Sequence, residues 1–86
     1  TKNSPPPKPP EIIRIDVDFD GTISWNGETI AAGDRAAIET RLQAVAAIAD
    51  QPEVHLRPNK LVVYRHVAMI LATAQRLGVT KIGIVG

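Results

Sequence analysis

EVHLRPNKLVVYRHVAMILATAQRLGVTKIGIVG, residues 53–86, reads as a strand, a loop, a helix and a second strand. Glu53-Val54-His55-Leu56-Arg57 alternates polar and apolar residues, the period of a half-buried strand. Pro58-Asn59 is a turn signal. From Leu61 a helical pattern runs, with Val63, Val67, Ile70, Ala74 and Leu77 forming one apolar stripe. Gly78 stands where a left-handed C-cap residue belongs, just after Arg76 in a last turn that favours cations. Lys81-Ile82-Gly83-Ile84-Val85 closes the unit as a short apolar strand. A strand, a crossover helix and a strand in this order make the two strands parallel and the connection right-handed.

The residues upstream complete the sheet and cover one of its faces. Ile12 to Phe19 is the cleanest strand, with Ile13, Ile15, Val17 and Phe19 on one side and Arg14, Asp16 and Asp18 on the other. One wet face predicts an antiparallel or edge position. Asp20-Gly21 and Asn26-Gly27 are two-residue hairpin signals. They place a second strand at Thr22 to Trp25 and a third at Glu28 to Ile30. Asp34 is a good N-cap for a helix whose stripe is Ile38, Leu42, Val45 and Ala49, with Ile48 beside it. Pro52 biases the chain before it away from helix and ends that element. The order is β-β-β-α-β-α-β. It predicts an α/β (α+β) two-layer sandwich, with two helices on one face of a mixed sheet of four or five strands. The second face carries Arg14, Asp16, Asp18, Ser24, His55 and Arg57 and is expected to be wet or to meet a polar partner.

Residues 1–11 hold five prolines, which lack a donor N–H and fix φ. They predict a semi-extended polyproline II tether, residues 12–86 being one folded domain. The alternative is a ligand for a proline-binding domain. The chain begins at Thr1 rather than Met, as expected of an excised or processed piece.

Composition removes several function classes. With 86 residues there is room for one small domain. At 44% hydrophobic and 22% charged residues, a folded core is expected rather than global disorder. A formal net charge of +1, without a Lys/Arg cluster, argues against a nucleic-acid surface. The sparse aromatics, Phe19, Trp25 and Tyr64, give no base-stacking platform. No cysteine is present, so disulfides and thiolate metal sites are excluded. The apolar runs fall far short of the ~20 residues that span a bilayer.

Two readings of the aspartate-rich stretch suggest chemistry. Asp16, Asp18, Asp20 and Gly21 fit the opening of a calcium loop, but its twelfth position is Gly27, with Glu28 one residue late. The flanks alternate as strands, where that loop needs helices. Asp18-Phe19-Asp20-Gly21-Thr22 also resembles the first motif of haloacid-dehalogenase-like phosphatases. That likeness implies Asp18 as nucleophile, Asp20 as acid/base and magnesium between them and phosphate. It covers five residues, and Trp25-Asn26-Gly27 turns back where that family leads into a helix. His55 and His66 lack an i, i+4 partner and read as exposed strand and helix-surface residues. Tyr64, Ala68 and Leu71, with Met69 nearby, form a second helix stripe: a broad core face, or a subunit contact. In the last strand Ile82 and Ile84 face the core, while Gly83 leaves backbone accessible. At a sheet edge that strand would template another one.

Taken together, these stretches resemble the periplasmic domain of the ExbD/TolR family. The anchors are Asp20-Gly21-Thr22-Ile23, Asn26-Gly27-Glu28, Arg57-Pro58-Asn59-Lys60 with Val63-Tyr64, and the run Gly78 to Val85. Pro58 and Asn59 depart from the small residue and aspartate usual there, which removes an ion pair from position 59. The resemblance, nearer the ExbD branch in the tail, implies a non-enzymatic part of a proton-driven motor, without cofactor or metal. Its membrane helix would precede this chain, and the domain would lie in the periplasm. The implied partners are a TonB-like protein, an ExbB-like membrane subunit, a second copy of the chain, and in the TolR branch peptidoglycan. The residues implied in binding or dimerisation are Arg57, Lys60, Tyr64, Ile82, Gly83, Ile84 and Val85.

Overall fold

The computed structural model describes residues 12–85. The tether expected for residues 1–11, and Gly86, lie outside the described residues. Seven elements follow in order: β1 (Ile12–Val17), β2 (Ile23–Trp25), β3 (Glu28–Ile30), α1 (Arg35–Ala46), β4 (Glu53–Pro58), α2 (Tyr64–Leu77) and β5 (Ile82–Ile84). They form the α+β sandwich the patterning predicts, on one mixed sheet of order β3-β2-β1-β4-β5. β1–β2 and β2–β3 are antiparallel. β1–β4 and β4–β5 are parallel.

Alternation decides which face is covered. Ile13, Ile15 and Val17 of β1, Val54 and Leu56 of β4, and Ile23 and Trp25 of β2 are all buried. They join Ile38, Leu42 and Val45 of α1 and Val67, Ile70 and Ala74 of α2 in one core. Both helices therefore lie on this face. The opposite face carries exposed Arg14, Asp16 and Arg57 with half-buried Ser24 and His55.

Several expectations are corrected. β1 pairs antiparallel with β2, one of the two positions expected for it, but sits at the centre of the sheet and not at an edge. Its one wet face reflects the missing second helix layer, since alternation reports layers and not lateral neighbours. β1 also ends at Val17, and Phe19 is 60% exposed in the hairpin loop instead of in the core. The loop is not the two-residue turn expected at Asp20-Gly21. Gly21 N–H donates to Asp18 C=O at 2.9 Å, Asp18 N–H donates to Thr22 C=O at 2.8 Å, and Gly21 alone is left-handed, at φ 90°. That is a three-residue loop closing in a glycine bulge. The second hairpin follows its signal, with Asn26 at φ 48° and Gly27 at φ 92°. Asn26 Oδ1 also accepts from Arg14 N–H at 2.8 Å, fastening the turn to β1.

The helix limits differ as well. Asp34 caps α1, its Oδ1 accepting from Ala37 N–H at 3.2 Å, but α1 stops at Ala46 and leaves Ile48 and Ala49 exposed. α2 begins at Tyr64, not Leu61. Asn59 accounts for the delay: its Oδ1 accepts from Leu61 N–H at 2.9 Å and its C=O from Val62 N–H at 3.0 Å. A side chain that bonds the backbone two residues on makes a turn in competition with helix. Leu61 and Val63 are consequently 78% and 57% exposed, and Val63 drops out of the expected stripe. At the far end Gly78 is left-handed, and Val79 N–H reaches back to Ala74 C=O at 2.9 Å, as the cap predicts.

Candidate functional site

The exposed strand β5 and the ends of β4 and α2 around it form the candidate site. β5 lies in register with β4: Val54 opposite Ile82, His55 opposite Gly83, Leu56 opposite Ile84. Val54 N–H donates to Lys81 C=O at 2.8 Å, and Val85 N–H donates to Leu56 C=O at 2.9 Å. In a parallel ladder alternate residues turn their backbone groups to the same neighbour. Residues 81, 83 and 85 thus face β4, while the N–H and C=O of Ile82 and Ile84 point to the open side. The expected accessible backbone at Gly83 is corrected accordingly: accessible groups belong to its two neighbours.

Side chains follow the other alternation. Ile82 and Ile84 lie on the helix-covered face with Val54 and Leu56. Ile82 packs against the core, but Ile84 is 53% exposed, because the helix layer stops short of it. On α2, helical spacing sets Tyr64, Ala68 and Leu71 on one flank. Arg76 marks the other flank through its 2.8 Å bond to Glu39 of α1. Met69 lies on that α1 side and leaves the expected stripe. Leu71 packs against the core, whereas Tyr64 is 67% exposed. The edge is therefore rimmed by apolar surface above the sheet.

Below the sheet the lining is polar. Arg57 Nε stands 3.9 Å from Asp16 Oδ1, and His55 Nε2 stands 3.0 Å from Glu53 Oε1. Lys81 Nζ is 3.5 Å from Asp50 Oδ1. These exposed pairs each add little, typically under ~1 kcal/mol. A shallow groove of about 440 Å³ runs here from Ser24 and Thr29 past Asp16 and Arg57 to Val85. Arg57 and Tyr64 thus stand on opposite faces of the sheet, with β5 between them and Lys60 exposed in the connecting loop.

The aspartate-rich hairpin is built as a turn. Asp18 Oδ1 accepts from Phe19 N–H at 2.8 Å, and Asp20 Oδ1 accepts from Thr22 N–H at 2.9 Å. The Thr22 backbone N–H, then its hydroxyl, hold the Asp20 carboxyl below its ordinary range, with a smaller contribution from His66. Both carboxylates cap the loop, and β2 follows where a phosphatase would need a helix. Among the described residues no three His, Asp or Glu converge as a metal cage. His66 is half-buried rather than a plain surface residue, with its ring laid over Gly21.

Sequence reasoning missed Gln51. Its Nε2 donates to Ala46 C=O at 3.4 Å and to Gly78 C=O at 3.0 Å, and its Oε1 accepts from Thr80 N–H at 2.9 Å. One amide thereby closes both helix C-termini and sets the approach to β5. The only sequence signal was a polar residue before Pro52, at the foot of a strand.

Among the described residues no helix is long and apolar enough to cross a membrane. The whole chain, residues 1–86, matches the family model described as Biopolymer transport protein ExbD/TolR. Over 73 residues it is 33% identical to the protein named Biopolymer transport protein exbD1 in Xanthomonas campestris pv. campestris strain B100. A namesake in a second strain of that organism matches equally. The alignment covers 85% of this chain and 50% of the relative, so the chain spans about half the length of the curated relatives it matches.

Proposed function

The chain belongs to the ExbD/TolR family of biopolymer transport proteins, and from that membership we propose that it is the periplasmic, partner-gripping domain of a proton-driven motor subunit. In this reading the membrane helix lies in the part of the protein outside this chain. An ExbB-like subunit surrounds that helix, and residues 1–11 serve as the tether. The domain performs no catalysis. Two copies act together, and they transmit the work of the motor to a TonB-like protein that drives transport across the outer membrane.

The observation that supports this reading is the outward backbone of Ile82 and Ile84. An extended segment of the partner can take up those groups as an added strand, so that main-chain bonds supply affinity. Side chains near Arg57, Lys60 and Tyr64 then select the partner, from either side of the sheet. The motor would act by presenting or hiding this edge as the two copies move.

Titration of the isotope-labelled chain with peptides covering a TonB periplasmic region tests the proposal. The amides of Ile82 and Ile84 are expected to shift most. If no amide of β5 responds at millimolar peptide, strand capture is wrong. Cosedimentation with purified sacculi, if it outcompetes peptide binding, would instead assign the domain to a peptidoglycan-anchoring, TolR-like role.

A further inference from the structure

We infer that the segment captured on β5 places a large side chain, aromatic or long aliphatic, over Gly83 on the helix-free face of the sheet. This inference rests on the strand-capture reading and adds the side-chain chemistry that selects the occupant.

Among the described residues nothing calls for glycine at position 83. Gly21, Gly27, Gly33 and Gly78 are all left-handed, which favours glycine, but Gly83 is not among them. Among the described residues a Cβ built on Gly83 meets no heavy atom within 4 Å. Neither backbone conformation nor packing therefore calls for glycine here, and glycine weakens a strand. What it leaves is room. An open depression of about 400 Å³ lies along β4 and β5, bordered by Glu53, His55, Lys81 and Val85 with Gly83 among its lining.

The register names what fills it. The residue of an added strand directly opposite Gly83 projects to the same face as Gly83 and His55. A broad side chain at that point can fold over the glycine and shield its backbone, as aromatic residues do across glycines in sheets. The residues on either side of it project to the other face, beside Ile82 and exposed Ile84, and so are apolar. No single sign of charge chooses the occupant, because the border carries both cationic Lys81 and anionic Glu53, with Asp50 beside Lys81. The occupant is thus an extended segment of another polypeptide, reading apolar, large, apolar. A second β5 paired about Gly83 would set glycine on glycine and leave the depression empty.

Blocked host peptides Lys-Thr-Val-Xaa-Val-Thr-Lys, with Xaa as Trp, Leu or Ala, test the inference by amide-shift titration of the full chain. Affinity is expected to rise about fivefold from Ala to Trp, with ring-current shifts at the Gly83 Hα and the His55 ring. Gly83→Val, which has space for its side chain, is expected to melt no lower than the native chain. It should keep the Ile82 and Ile84 responses yet lose the Trp preference. If Trp and Ala peptides bind the native chain equally while those amides respond, strand capture stands and the Gly83 inference falls. If no peptide moves those amides, both fall. Shifts of Ile82 and Ile84 with protein concentration alone would give the edge to a second copy and overturn the inference too.

Discussion

The sheet has two edges, and they are finished differently. β3 is reached through a tight hairpin, and its Glu28 is held by Arg41 of α1, which lies 5.8 Å above the Trp25 ring. Ile30 is buried beneath that corner. Charge, brevity and a covering helix are the usual ways of closing an edge to further pairing. β5 is equally short but carries Ile-Gly-Ile, with no charge within the strand and Ile84 more than half exposed. Among the described residues, one edge is guarded and the other is left open. That difference is what the strand-capture proposal builds on, since an unguarded apolar edge is a liability unless something uses it.

The largest test compares the strand inside the sheet with the strand at its open edge. Leu56 and Ile84 are register neighbours, but Leu56 is 0% exposed and Ile84 53%. Leu56→Ala is expected to cost about 3 kcal/mol in urea unfolding, and Ile84→Ala less than about 1 kcal/mol. Equal losses would mean that Ile84 is covered in solution, and that the edge is not open. Next in size is a comparison of two glycines. Gly21 is left-handed, and a Cβ there would sit 2.7 Å from the His66 ring. Gly21→Ala is expected to cost about 2 kcal/mol, while Gly83→Ala is expected to leave the urea midpoint unchanged or slightly higher. A matching loss at Gly83 would show that the fold itself needs that glycine.

What was legible follows the same division. The alternation of Ile13, Ile15 and Val17, the Asn26-Gly27 turn, the Asp34 cap and Gly78 were readable because each is decided by residues a few positions apart. Phe19 misled because it keeps the strand period after the chain has begun to turn under the Asp18 and Gly21 bonds. Ile48 and Ala49 continued a helical stripe that the chain had already left. Leu61 and Val63 looked helical because the Asn59 turn that detains them is a matter of one side chain. For the candidate site, Ile82 to Val85 could be read as a strand with an apolar side. That it lies at an edge depends on β1 and β4 occupying the middle, and lateral order leaves no period in a sequence. Gln51 was invisible for a related reason: its partners, at Ala46, Gly78 and Thr80, are gathered only by the finished fold.

Two smaller tests probe the guarded half. Glu28→Ala is expected to lower stability by no more than about 1 kcal/mol, an effect that fades in high salt. Its more telling consequence is association. If the Glu28–Arg41 pair guards β3, the variant should sediment with a concentration dependence that the native β3 edge does not show. Sedimentation identical to that of the native chain would mean that hairpin shape, not charge, closes that edge.

The smallest expected effect concerns the loop joining the sheet centre to that guarded edge. Asp20 is fully exposed, and Thr22 holds its carboxyl below the ordinary range. A depressed folded pKa means that the ionised form favours the folded state. The contribution is complete above the unfolded pKa, about 4, and is lost as pH falls through the folded value. Asp20→Asn keeps an oxygen to accept from Thr22 N–H but removes the charge. The variant should therefore unfold at slightly lower urea than the native chain at neutral pH, and the two midpoints should converge on acidification below about pH 4. The His66 ring of α2 adds only the smallest part of this effect. A gap that keeps growing below about pH 4 would show that the carboxylate is unfavourable in the fold, and that the hairpin is held by backbone geometry alone.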